Sequence, residues 1–233
     1  MNIIELRNVD GVIGDVRDMV SDIINATNVK SIGVSGSILV DLYREDSDID
    51  LVIYGEEEGR RVYEYLSEVI DKGSSQYRRY SINNIEKLFR ERSKETPIDI
   101  HELLKQESRR VLEGFYRNRE YFIRLVRYPG EDELYGTYKC VKIGRVVVKL
   151  MVVDDRYAIY TPCRYGVEVI EIIEGENIDI DEVYTLRGRF IDVAKQDDII
   201  IASGTVEKIM FRSGRIVYRL YLGSKGDYVI RIK

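Results

Sequence analysis

The fold is decided by Ser31-Ile32-Gly33-Val34-Ser35-Gly36-Ser37 and, after ten intervening residues, Asp48-Ile49-Asp50-Leu51-Val52-Ile53. The first run reads as a short buried strand that turns at Gly36-Ser37 into a helix opening at Ser37, and the second as a strand from Asp48 to Tyr54. Side chains alternate along a strand, so Asp48 and Asp50 project from one face while Ile49, Leu51 and Ile53 turn to the other. Two acids at the head of an apolar strand repel each other unless a cation lies between them. Mg²⁺ suits such a pair, because it takes one or two carboxylates together with substrate phosphates and keeps its waters. A Gly-Ser turn between strand and helix offers backbone N–H groups and a hydroxyl, the makings of a phosphate seat. A phosphate seat facing a metal-binding acid pair describes a nucleotidyl-transfer site.

Around this centre, residues 1–115 alternate helical periods with short apolar runs. A helix is predicted from Asp10 to Ala26, where Ile13, Val16, Val20, Ile23 and Ile24 recur at helical spacing. Glu56, Glu57 and Glu58 suit the first turn of another helix, whose apolar positions Val62, Leu66, Val69 and Ile70 end before Gly73. Ser81 reads as the cap of the next, and Pro97-Ile98-Asp99-Ile100-His101 as a third strand, followed by a helix from Glu102 to Glu113. Residues 116–233 change texture: strand-like runs at Tyr121–Arg127, Gly136–Val141, Val146–Val153, Ala158–Thr161, Val167–Ile173, Ile199–Phe211, Ile216–Leu222 and Tyr228–Ile232 are punctuated by glycines such as Gly144 and Gly166. The expected class is α+β. An N-terminal α/β domain (1–115) with a short mixed sheet and flanking helices precedes a mainly-β domain (116–233), a barrel or a sandwich.

The acid pair and its turn resemble the DNA polymerase beta-like nucleotidyltransferase superfamily, marked by a Gly-Ser turn, about ten residues, and an Asp-x-Asp strand; Gly36, Ser37, Asp48 and Asp50 carry the match. The resemblance implies two catalytic Mg²⁺ ions and a nucleoside triphosphate donor. It also implies a third acid on a neighbouring strand, for which Asp99 is the best-placed residue. In that scheme Asp50 bridges both ions, Asp48 holds the pyrophosphate-side ion and Asp99 completes the side of the attacking hydroxyl. Many members place small and basic residues after Gly-Ser, whereas this chain has Ile38, Leu39 and Val40; Arg44 is the cation that could replace them. Over its remaining length the chain is similar to archaeal predicted nucleotidyltransferases with a β-rich C-terminal part, through Tyr121–Val126, Tyr160–Tyr165, Leu186–Phe190 and Gly204–Lys208.

Composition bounds these readings. In 233 residues there are one histidine, His101, and two distant cysteines, Cys140 and Cys163, which nearly excludes a His/Cys zinc site and leaves a catalytic triad only His101 as its base. Cys163 is most simply a small buried group at a strand end. The apolar runs fall well short of a spanning helix, and the first residues lack the pattern of a secretory signal, so a cytoplasmic, non-membrane protein is expected. Much Glu, Lys, Arg, Ile and Tyr with little Gln resembles proteins of hot environments. Net charge is −5, yet residues 1–115 carry −7 and residues 116–233 carry +2. A nucleic-acid acceptor, RNA first, therefore stays open on the β-rich half. Arg117, Arg119, Tyr121, Arg124, Arg127 and Tyr128 interleave cations with aromatics, and Arg187 and Arg189 adjoin Phe190, as single-stranded nucleic-acid surfaces do; strand-face pairing with nearby acids explains them equally well. The alternatives are an inert nucleotidyltransferase scaffold that binds RNA or protein, and transfer to a protein or small-molecule acceptor. Oligomeric state is not encoded in these features.

Overall fold

A computed structural model describes residues 10–95, 97, 99–130 and 133–232, which form two compact units. The first comprises residues up to Ser81 together with Ser108–Tyr128; the second comprises Ile82–Glu107 and the chain from Pro129 onward. The boundary read from the sequence, 115/116, falls inside a strand of the first unit.

In the first unit α1 (Gly11–Thr27) leads to β1 (Ile32–Val34), the single turn of α2 (Gly36–Leu39), β2 (Ile49–Tyr54), α3 (Glu56–Asp71) and β3 (Tyr77–Arg78). After α4 (Ile82–Arg92) and α5 (Ile100–Glu107), which belong to the second unit, it is completed by β4 (Glu113–Tyr116) and β5 (Arg119–Val126). The sheet order is β1-β2-β5-β4-β3, with β2 and β5 parallel and the other pairs antiparallel. Ile49, Leu51 and Ile53 are fully buried, together with Ile123 and Leu125 of β5, Val16, Met19 and Ile23 of α1, and Val62 and Leu66 of α3. Covering each Val, Ile or Leu side chain in this way contributes about 1.5–3 kcal/mol against leaving it in water. The apolar face of β2 is thereby committed to the core and its even-numbered residues to the opposite side, as alternation predicts.

The second unit contains α4 and α5 and the strands β6 (Tyr138–Tyr157), β7 (Tyr160–Thr161), β8 (Cys163–Glu174), β9 (Glu182–Thr185), β10 (Ile199–Phe211), β11 (Ile216–Leu222) and β12 (Tyr228–Arg231). β6 pairs with β8, β8 with β9, β9 with β11, β11 with β10 and β10 with β6; β12 is added to β10. Only β9–β11 is parallel among these pairs. Val148, Leu150, Val152, Tyr165, Val183, Ala202, Val206 and Leu220 are fully buried in this unit.

Several expectations are corrected here. Gly136–Val141 and Val146–Val153 are one strand: Gly144 is not a turn but lies at a bulge, where Val206 faces Gly144, Glu207 faces Lys142 and Ile143 is the extra residue. The strand expected at Pro97–His101 does not form. Asp99 instead stands before α5, its carboxylate accepting the His101 backbone N–H at 2.8 Å and its carbonyl the Leu103 N–H. That helix stops at Glu107, whose buried carboxylate pairs with Arg92, and the chain then enters β4. The short strands β3 and β9 have too few residues for a periodic signal.

Candidate active site

β1 and β2 are antiparallel with Val34 opposite Leu51, which brings the turn after β1 beside Asp50. The Ser35 N–H donates to the Asp50 carbonyl at 2.8 Å. Gly36 then takes φ +63°, and a Cβ built there would lie 1.9 Å from Asp50 Oδ2 and 2.9 Å from its Cγ. Only a residue without a side chain lets the Gly-Ser turn close onto the acid strand, and this contact explains why glycine stands at that place. Ser37 Oγ lies 3.4 Å from Ser47 Oγ, and Ser47 Oγ accepts the Arg44 N–H at 2.9 Å, so the connection returns from the turn to the acid pair in a tied loop. With four residues, α2 contributes free N–H groups at its start but little macrodipole, less than the longer helix expected from the sequence.

Asp48 is exposed and Asp50 half-buried. Burial, and then the charge of Asp48, push the Asp50 carboxyl above its usual range, against a smaller opposing pull from Arg124. Arg124 comes from β5: the parallel register sets Phe122 beside Asp50 and Arg124 beside Val52, and the Arg124 guanidinium lies 5.3 Å from the centroid of the Phe122 ring. The register begins one residue earlier, with Ile49 beside Tyr121.

Arg119 fixes the entry to β2. Its side chain, 13% exposed, donates from Nη1 to the Ser47 carbonyl at 2.9 Å and to the Glu45 carbonyl, and from Nε to Asp15 of α1 at 3.0 Å. Arg117 pairs with Asp18 of α1 at 3.0 Å and Tyr121 is buried, so these two residues brace the unit. In the second unit Arg189 pairs with Glu95 and Arg187 donates to the Gly223 carbonyl.

Of the residues singled out in the sequence, Gly36, Ser37, Asp48 and Asp50 are brought together in the first unit. Arg44 lies on the connecting loop, 81% exposed, its guanidinium on Asp46 at 3.0 Å. Asp99 belongs to the second unit, at the start of α5. Sequence reading singles out Arg119 and Arg124 but does not set them beside the acid strand, because β5 follows a long excursion and its alternation is indistinguishable from that of the β-rich half. Cys163 is buried, its thiol 3.2 Å from the Ala158 carbonyl, and Cys140 is exposed.

Asp48 and Asp50 are the residues able to hold a hard cation. Their carboxylate oxygens are the donors Mg²⁺ prefers, and the Asp50 carboxyl, raised by burial first and then by Asp48, is a site where a cation would offset both. Among the described residues no three His, Cys, Asp or Glu side chains converge on one metal position. The described helices include none long and apolar enough to cross a membrane.

Comparison with known proteins agrees with this geometry. The family model of the nucleotidyltransferase domain matches residues 13–174, which takes in the Gly-Ser turn, both acids and β5. An uncharacterized protein of the archaeon Methanocaldococcus jannaschii, MJ1086, is 26% identical over 197 residues, covering 84% of this chain and 56% of the relative. The chain thus spans little more than half the length of that curated relative. No solved structure matches it. On the family match, and on the turn and acid pair within it, the chain belongs to the nucleotidyltransferase domain family of the DNA polymerase beta-like superfamily.

Proposed function

We propose that the protein transfers a nucleoside monophosphate from a nucleoside triphosphate to an acceptor hydroxyl, with Mg²⁺ held by Asp48 and Asp50 and RNA as the acceptor. The observation that carries this reading is the closure of Gly36 onto the Asp50 carboxylate, because it sets the phosphate-binding turn against the metal-binding acids. Bound there, Mg²⁺ supplies charge neutralisation for the phosphates and a lowered pKa for the attacking hydroxyl. The chain's own part is position: Arg119 holds the entry to β2, Ser37 and the turn N–H groups face the phosphates, and Arg124 supplies positive charge on the face of Asp50. Asp48 and Asp50 would hold the metal, in the roles the resemblance implies for them. For the third acid of the scheme we keep Asp99, which stands before α5 in the second unit. Gly36, Ser37 and Arg44 would meet the triphosphate, Arg44 after leaving Asp46.

A second reading is an inert scaffold that binds without transferring. It is favoured by the Arg44–Asp46 pair and by Ile38, Leu39 and Val40 standing where cations are usual. The two part when the protein is incubated with Mg²⁺ and each α-labelled nucleoside triphosphate, alone and with total RNA. Label entering RNA, and lost in Asp50→Asn, supports transfer. Label that survives Asp50→Asn overturns the metal assignment, and absence of label with every acceptor favours the scaffold. Protease-sensitive, nuclease-resistant label identifies a protein acceptor.

A further inference from the structure

The second unit's charge is sharply divided. From Tyr138 to Val153 there are four cations, Lys139, Lys142, Arg145 and Lys149, and no acid; from Lys208 to Gly226 there are five, Lys208, Arg212, Arg215, Arg219 and Lys225, again with no acid. β8, by contrast, carries Glu168, Glu171 and Glu174. Pairing brings the two basic segments together: β10 lies between β6 and β11, with Lys208 opposite both Val141 and Tyr218, and Met210 opposite both Lys139 and Ile216. Residues directly opposite one another in an antiparallel pair share a face, so Lys139, Val141, Lys208, Met210, Ile216 and Tyr218 form one surface. Val141 is 46% exposed and Ile216 48%, and Lys208 Nζ lies 5.8 Å from the centroid of the Tyr218 ring. At its end the β10–β11 turn adds exposed Arg212 and Arg215, the latter 4.1 Å over the Phe211 ring, and Phe211 packs against Tyr138 at 5.7 Å.

The strand pairing bears on one part of this surface, the β10–β11 turn. The circuit β6-β8-β9-β11-β10-β6, numbered along the chain, runs 1-2-3-5-4-1 with the one parallel pair between 3 and 5. That is the order of the five-stranded oligonucleotide-binding barrel, whose ligand lies on the face of strands two and three, here β8 and β9, and against the loop between the fourth and fifth strands. Here that loop is the Arg212–Arg215 turn.

From the facing cations, the aromatic rings and the exposed apolar side chains we propose that this surface, Lys139, Val141, Lys208 and Tyr218 with the Arg212–Arg215 turn, binds single-stranded RNA. It names the acceptor-binding surface of the function proposed above and rests on that reading for its biological sense, though the binding itself does not require transfer. Cations track the phosphates, while Tyr218 and the exposed apolar side chains receive the bases. A flat anionic lipid surface would use the charges but not the ring.

The test is fluorescence anisotropy with a 5′-labelled 20-nucleotide RNA of mixed sequence and the full chain, without nucleotide or metal. Wild type and Asp50→Asn should bind alike. The combined Lys139→Gln, Lys208→Gln, Arg212→Gln, Arg215→Gln variant should bind at least tenfold more weakly. Its slope of log affinity against log salt should be shallower by up to about 2.8, at about 0.7 per lost phosphate contact. Tyr218→Leu should lose about fivefold, whereas Arg60→Gln with Arg61→Gln, on α3, should lose nothing. Unchanged affinity in the fourfold variant overturns the proposal. So does equal affinity for duplex RNA, or co-sedimentation with phosphatidylglycerol vesicles in place of RNA binding. RNA binding without label transfer by wild type leaves this inference standing and removes the catalytic reading; transfer with unimpaired RNA binding in the fourfold variant does the reverse.

Discussion

Gly36→Ala isolates the contact on which the active-site reading stands. A Cβ at this position falls 1.9 Å from Asp50 Oδ2, more than 1 Å inside a tolerable carbon–oxygen separation, so either the carboxylate or the turn has to move by about that much. The left-handed conformation, φ +63°, adds about 1–2 kcal/mol for any L-residue. Displacing a catalytic group by about 1 Å costs about 10²-fold in rate. Gly73→Ala provides the comparison: its φ is +75° and a Cβ there meets nothing within 4 Å, so it bears the conformational strain without the collision. The assay is the initial rate of label transfer in saturating Mg²⁺, alongside urea unfolding of each variant. Both variants should lose about 1–2 kcal/mol of stability, with Gly36→Ala losing more, but only Gly36→Ala should lose about 100-fold or more in rate. Equal rates in the two variants would refute the reasoning, because the turn would then not be positioning Asp50.

Other outcomes follow from the same geometry. Arg119→Met removes donors to Ser47, Glu45 and Asp15 from a mostly buried guanidinium; it should lower the unfolding free energy by about 2–4 kcal/mol and raise the Mg²⁺ concentration needed for half-maximal rate. Asp99→Ala should cost about 1 kcal/mol of stability through loss of the α5 cap, read by urea unfolding. The Asp50 carboxyl is raised by burial and by Asp48, so in metal-free protein its contribution to stability is full below the unfolded-state value near 3.8 and is lost as pH rises through the folded-state value. Asp50→Asn should therefore unfold at higher urea than wild type at pH 7, and the gap should close as pH falls below about 4; a variant less stable than wild type at pH 7 would contradict the cause given.

The parts of the site legible in the sequence are those fixed by local chemistry. Alternation in β2 is enforced because Ile49, Leu51 and Ile53 are wholly buried, so Asp48 and Asp50 have one side left to them. Gly36 was readable as a turn, but its deeper reason, contact with a residue fourteen positions on, is visible only in three dimensions. The strand expected around Asp99 is a misreading, because Pro97-Ile98-Asp99-Ile100-His101 alternates like one, while the Asp99 carboxylate accepts the His101 N–H and α5 starts at Ile100. The strand at Tyr121–Arg127 is readable but is assigned from sequence to the β-rich half, because parallel pairing with β2 leaves no turn between the two strands to announce it, and so Arg124 is not connected with Asp50. A charge of +2 over the β-rich half concealed a division into acidic and basic strands, since the sum discards which strands pair.

The most direct test of the central claim is a crystal structure grown with Mn²⁺ and a non-hydrolysable nucleoside triphosphate analogue, read from the anomalous signal of manganese. The account predicts manganese on the carboxylates of Asp48 and Asp50, with the phosphates against Gly36 and Ser37. Manganese and phosphates bound elsewhere, with those two carboxylates turned away from both, would contradict it.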